Sequence, residues 1–166
     1  VGGVRQLLQF ALPKLNWDQY NAFGGPIEDA LTLELLIVLS GVSFLQTRLF
    51  NPKLINAGTA ARKPDLYLNS SIDAFVECVL TTANNNSEVA KLDEHILRFI
   101  PKSAVAKPYY EIGQKSFAIL NYQLVGDQPM QPSARFQGNF FDTKVFTFLM
   151  STREVYMGST LIAGPQ

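Results

Sequence analysis

Asp65 and Glu77 stand in two short apolar runs, Lys63-Pro64-Asp65-Leu66-Tyr67-Leu68 and Ala74-Phe75-Val76-Glu77-Cys78-Val79-Leu80, separated by a polar turn sequence. If the runs are strands joined by the loop Ser70-Ser71-Ile72, Asn69 pairs with Asp73 and, counting outward, Asp65 falls opposite Glu77 on the same face. Opposed residues of an antiparallel pair lie roughly 4.5–5.5 Å apart at Cβ, where two like charges repel. A divalent cation such as Mg²⁺ or Mn²⁺ removes that repulsion, because hard cations take carboxylate oxygens and can activate water for phosphodiester cleavage. The same residues also fit a plainer arrangement, with Glu77 solvated on an outer sheet face and Asp65 opening a strand after Pro64. A one-residue change in the loop would separate the pair to opposite faces.

Glu34 interrupts the run Leu33-Glu34-Leu35-Leu36-Ile37-Val38-Leu39, where a carboxylate is expensive to bury without a partner. It is either a third acidic group at the same site, a residue on a narrow exposed stripe, or the partner of a base. Residues 88–100 place Val89, Leu92, Ile96, Phe99 and Ile100 on one helical face and a Glu94–Arg98 pair outside. His95 falls at the border, expected to turn toward the sheet edge, either as a general acid/base or as a hydrogen-bonded structural residue. With one His and one Cys, zinc sites of the common Cys/His kinds are excluded. Gly2-Gly3 and Gly24-Gly25 have neither the spacing nor the following Lys-Ser/Thr of a phosphate loop.

The elements that must position these groups come from a chain of 166 residues, 47% hydrophobic and 17% charged, a composition that suits a single domain. Basic and acidic residues both number 14, so no overall positive field draws the chain to nucleic acid or anionic lipid, and any such contact must be a local patch. The single Cys78 excludes a disulfide-stapled scaffold. The longest apolar stretch, Leu31 to Leu45, is broken by polar residues and too short to cross ~30 Å of hydrocarbon, so no membrane association is expected. The start Val1-Gly2-Gly3 reads as a cut inside a longer chain.

Residues 4–12 predict a short helix stopped by Pro13, within an N-terminal helical segment spanning 1–25. A long helix is expected from Pro26 to about Phe50, and extended segments at 53–58, 64–69 and 73–80 imply an antiparallel meander. Ser87 reads as the cap of the 88–100 helix, and 116–124 as a strand. Residues 128–137 read as the least structured stretch, and 144–150 with 154–162 as a terminal hairpin around Ser151-Thr152-Arg153. The order gives an α/β domain with a mixed sheet. Both faces of Val145-Phe146-Thr147-Phe148-Leu149-Met150 are apolar, which predicts either helices on both sides or a homodimer.

Pro64-Asp65-Leu66-Tyr67, Phe75-Val76-Glu77-Cys78-Val79-Leu80, Leu92-Asp93-Glu94-His95-Ile96-Leu97-Arg98-Phe99, Tyr109-Tyr110 and Phe117-Ala118-Ile119-Leu120-Asn121-Tyr122, in this order, resemble the C-terminal region of Crinkler effectors over about residues 26–165. These effectors belong to oomycetes and fungi associated with plants and animals. The resemblance implies, over 26–166, a restriction-endonuclease-like domain of the PD-(D/E)XK superfamily: a mixed sheet flanked by helices, here with a C-terminal β-hairpin. It also implies that Glu34, Asp65 and Glu77 bind Mg²⁺ or Mn²⁺, with Asp65, Glu77, His95 and Arg98 as the catalytic set. The implied activity is that of a metal-dependent nuclease or a nuclease-like DNA-binding domain, secreted and translocated into the host cell, with the host nucleus as destination. Host DNA and host proteins are the implied partners. Where that superfamily carries a lysine two residues after the glutamate, this chain has Val79, so a cation from Lys63, Lys91, Arg98 or Lys102 must substitute. The alternative is a catalytically degenerate protein-interaction or dimerisation module.

Overall fold

A computed structural model of the chain describes residues 3–15, 27–41, 46–49, 66–69, 73–97 and 116–164. The N-terminal helix α1 (Val4–Ala11) buries Leu7, Leu8 and Ala11, and Pro13 enters a 3₁₀ turn, Leu12–Lys14, that ends it. Helix α2 (Ile27–Ser40) presents Ile27, Leu31, Leu35 and Leu39 on one buried stripe at i,i+4 spacing.

Four strands then frame helix α3 (Asn86–Leu97): β1 (Gln46–Leu49), β2 (Leu66–Asn69) and β3 (Asp73–Thr81) before it, β4 (Ser116–Gln123) after it. A short helix α4 (Asn139–Lys144) leads into β5 (Val145–Leu149), β6 (Glu154–Met157) and β7 (Thr160–Ala163). All seven lie in one sheet in chain order. The β1–β2–β3 and β5–β6–β7 meanders are antiparallel, and β3–β4 and β4–β5 are parallel. The sheet is therefore mixed, in an α+β domain with helices on both faces, as the order of elements predicts.

Its two faces differ in chemistry. Val76 and Cys78 of β3, Ala118, Leu120 and Tyr122 of β4, and Phe146 and Phe148 of β5 form one cluster with the buried residues of α1 and α2. Helix α1 and the turn after it thus belong to the same core as α2. The opposite face is covered by Leu92 and Ile96 of α3 and by Phe141 of α4, all buried. Every residue of β5 is buried inside the chain, so the apolar pattern there is explained by helices on both sides and calls for no second subunit.

Several elements differ from the sequence expectation. Helix α2 stops ten residues early: Gly41 turns the chain, its N–H donating to the Val38 carbonyl, and Gln46–Leu49 joins the sheet instead. The segment expected as a strand at 53–58 lies outside the described residues. Asn85, not Ser87, caps α3, its Oδ1 accepting the Glu88 N–H at 3.0 Å; a run of Asn and Ser offers several caps and the chain uses an earlier one. Residues 128–137, expected to be the least structured, form an ordered connection. The Gln123 amide donates to the Val125 and Gln128 carbonyls and accepts the Met130 N–H, while Asp93 accepts both the N–H and the hydroxyl of Ser133. Helix α4, which follows them, has no strong periodic signal.

The single strand expected over 154–162 is two strands, β6 and β7, joined by Gly158-Ser159 between the paired Met157 and Thr160. Gly158 has φ +61°, and a Cβ there would lie 3.1 Å from the Asp142 Cα. Replacing Gly158 with alanine is expected to cost about 1–3 kcal/mol through the left-handed backbone and the close approach to α4. Urea unfolding monitored by circular dichroism would measure this as a lower midpoint.

Candidate functional site

The β2–β3 register is the one that the loop length predicts: Asn69 pairs with Asp73 and Leu66 with Val76. Asp65 itself lies outside the described residues. Glu77 is buried, with 3% exposure, on the central part of β3, which removes the alternative of a solvated carboxylate on an outer face.

Glu77 belongs to the face covered by α3 and α4, and that face is polar within. Thr81 of β3, Asn121 and Gln123 of β4 and Thr147 of β5 are also buried there, and with Glu77 they are all the buried polar or charged residues of the described strands. The pairings Val79–Asn121–Thr147–Tyr156 form one row across four strands and Thr81–Gln123 begins the next. On the opposite face the Tyr122 hydroxyl, 3.2 Å from the Thr32 hydroxyl and donating to Cys78 Sγ at 3.6 Å, is the one polar group among apolar side chains of the sheet's buried cluster. Buried polar groups cost stability unless paired, so concentrating them on one face marks that face as the chemically distinctive one. At the far end of the row, burial and then the Glu154 carboxylate hold the Tyr156 phenol above its ordinary pKa.

Two groups in this layer are tightly engaged. The Thr81 hydroxyl donates to Asn121 Oδ1 at 2.9 Å, and Gln123 makes the three bonds that anchor the connection after β4. One is not: Asn121 Nδ2 is a buried donor with no hydrogen-bond partner. Leaving such a donor unpaired costs about 1–3 kcal/mol, and native interiors rarely keep one without a reason.

The remaining candidates fall as follows. His95 is half-buried on α3, and its Nδ1 lies 2.9 Å from the Lys91 carbonyl one turn earlier. A carbonyl only accepts, so Nδ1 carries the proton, and Nε2 is the nitrogen through which the ring could exchange one. Arg98 lies outside the described residues, so the pairing expected with the exposed Glu94 does too. Glu34 is partly buried on the flank of α2, whose buried stripe packs on the Val76–Cys78 face; Glu34 and Glu77 therefore approach the sheet from opposite sides. Val79, two residues after Glu77, is fully buried. Of the cations considered as substitutes, Lys91 is held at the end of β3, donating to the Leu80 carbonyl at 2.6 Å and lying 4.0 Å from the Glu88 carboxylate. Lys63 and Lys102 lie outside the described residues.

Among the described residues no three His, Cys, Asp or Glu side chains converge to hold a metal ion. Glu77 is the buried carboxylate of the described strands. Among the described residues, too, no helix is long and apolar enough to cross a membrane. Thr81, Asn121 and Thr147, the buried polar residues that share the face of Glu77, carry no signal in the sequence: each sits in an apolar run, and only pairing across three strands brings them together. No family model matches the chain, and comparisons with curated proteins and with solved structures return no match.

Proposed function

We propose that this domain is a restriction-endonuclease-like module of the Crinkler type, acting on nucleic acid in a host cell through a divalent-cation site built on Glu77 and Asp65. The observation that carries the reading is a carboxylate buried at the centre of β3, on the one sheet face that collects buried polar side chains. The succession α2, three strands, α3 and β4 supports it as well, being the order that the resemblance implies. A bound Mg²⁺ or Mn²⁺ would supply charge neutralisation and a Lewis acid for phosphodiester hydrolysis. The chain's own contribution is then to hold the cation through Glu77 and Asp65, to move a proton at His95 Nε2 and to balance phosphate charge with Arg98. Glu34, which the resemblance places in the ligand set, lies on the helix across the sheet from Glu77 and is left out of the proposed site. The test is incubation of the purified chain with supercoiled DNA, linear DNA and single-stranded RNA in Mg²⁺, in Mn²⁺ and in excess chelator. The expected result is cleavage that the chelator abolishes. Nicking that persists in chelator, or its absence in both metals, overturns the nuclease reading.

A second reading, an interaction or dimerisation module, draws on a different surface. Leu33 and Ile37, one turn apart on α2, are 47% and 69% exposed, an apolar stripe turned away from the core. Here sedimentation velocity decides: a single monomeric boundary up to tens of micromolar removes self-association, while a concentration-dependent boundary that Ile37→Lys abolishes supports it.

A further inference from the structure

We infer that Asn85 is the acceptor of an N-linked glycan, attached when the chain passes through a eukaryotic secretory compartment. The inference rests on the secretion that the Crinkler reading implies for the meeting with the transferase, and on the chain's own sequence and turn geometry for the site.

Asn-x-Ser/Thr without proline in the middle is the acceptor pattern for this modification, and a folded chain carries the product on its surface. The sequence holds the pattern twice, as Asn69-Ser70-Ser71 and as Asn85-Asn86-Ser87. The two asparagines stand in different backbone settings. Asn69 pairs with Gln46 of β1 on one side and with Asp73 of β3 on the other, within the sheet. Asn85 lies in the turn between β3 and α3, one residue before the helix begins, and it is exposed together with Asn84, Asn86 and Ser87. A glycan is bulky and hydrated, and this turn takes one without touching strand pairing.

The hydrogen bonds of the turn leave the necessary atoms available. Asn85 Oδ1 accepts the Glu88 N–H at 3.0 Å as the cap of α3, and the Asn85 carbonyl accepts the N–H groups of Glu88 and Val89 at 3.1 and 3.0 Å. The Thr82 hydroxyl donates to Glu88 Oε1 at 2.7 Å and closes the turn from its other end. Among the described residues no hydrogen bond engages Asn85 Nδ2 or the Ser87 hydroxyl. In the transfer, Nδ2 forms a bond to the anomeric carbon of a lipid-pyrophosphate-linked oligosaccharide. The bond from that carbon to the pyrophosphate oxygen breaks, the lipid pyrophosphate leaves with the electron pair, and one Nδ2 proton passes to a base of the transferase. The product is still an amide, so Oδ1 remains an acceptor and the cap on the Glu88 N–H survives. Ser87, whose hydroxyl completes the acceptor pattern, belongs to the first turn of α3, so the transfer precedes closure of that turn.

The test expresses the full chain behind a cleavable secretion signal in a eukaryotic host, with the product of the bacterial cytosol as the unmodified reference. The chain from the secretory fraction should run higher on a denaturing gel and return to the reference mobility after an amidase that releases N-glycans. Peptide mass should then read aspartate at position 85. Asn85→Asp keeps the capping oxygen, and Ser87→Ala keeps the whole Asn85 side chain. Both should lose the glycan at position 85 while retaining the helical circular dichroism of the reference, whereas Ser87→Thr and Asn69→Gln should keep it. A secreted wild type without a glycan on the peptide that holds Asn85, or a gel shift that Asn69→Gln removes and Asn85→Asp does not, overturns the proposal. The chain recovered from the cells that make it decides the secretory route separately: an unmodified Asn85 there, beside a glycosylated one in the test host, overturns the secretion reading and leaves the acceptor site standing.

Discussion

Glu77→Gln is expected to lower metal-dependent cleavage at least about 100-fold while leaving the protein folded. The substitution keeps the size and planar shape of the side chain and removes only its charge, so packing under α3 is retained. What it removes is the carboxylate that would draw a cation to a buried face. The buried environment adds to the contrast, because interactions with a charge count for more at low effective dielectric than at the surface. Initial rates on supercoiled DNA at saturating Mn²⁺, alongside circular dichroism of the same preparation, measure both halves of this expectation. A variant that cleaves at the wild-type rate places the chemistry elsewhere and leaves the polar layer with a structural role only.

The largest stability effect is expected at Phe148. Its ring is fully buried on the α1–α2 face of β5, in the same cluster as Phe146, Tyr122 and Leu120. Truncation to alanine removes the ring's transfer energy and leaves a cavity that rigid strands on either side close poorly, a loss of about 3–5 kcal/mol. For a chain of this size that corresponds to a fall in melting temperature of roughly 6–20 °C. Ile37→Ala, on the exposed side of α2, should stay within about 0.5 kcal/mol. Parallel thermal melts of the two variants test the distinction: similar losses would mean that the exposed stripe of α2 is covered in solution.

Much of the frame was legible because it depends on local rules. A three-residue loop sets which residues face each other across β2 and β3, and that count alone places Asn69 against Asp73. Pro13 ends the first helix for a steric reason that operates in any context. Two of the misreadings share one cause, competition decided by distant partners. Residues 46–49 follow directly on the apolar run that ends at Leu45, yet they pair with β2, and no local feature of Gln-Thr-Arg-Leu announces it. The connection at 128–137 has the composition of an irregular loop, and it is ordered by Gln123 and by Asp93 of α3, neither of which lies within it. The site was half legible for the same reason. Glu77 stands out as a charge in an apolar run. Asn121 does not, because its meaning depends on standing beside Val79 of another strand and on a hydroxyl from Thr81.

The sheet also has a consequence for how the chain reaches this state. The antiparallel pairings β2–β3, β5–β6 and β6–β7 close over short distances in sequence, whereas the parallel pairings of β4 join segments separated by α3 and by the connection after Gln123. Such non-local pairings are the slow ones, since chain entropy must be lost before they return any contact energy. Glu77 lies on one side of this seam and Asn121 on the strand that closes it. The polar layer is thus expected to close late in assembly, and two fragments divided between α3 and β4 would each carry half of it, ready to regain the whole only by docking along the seam.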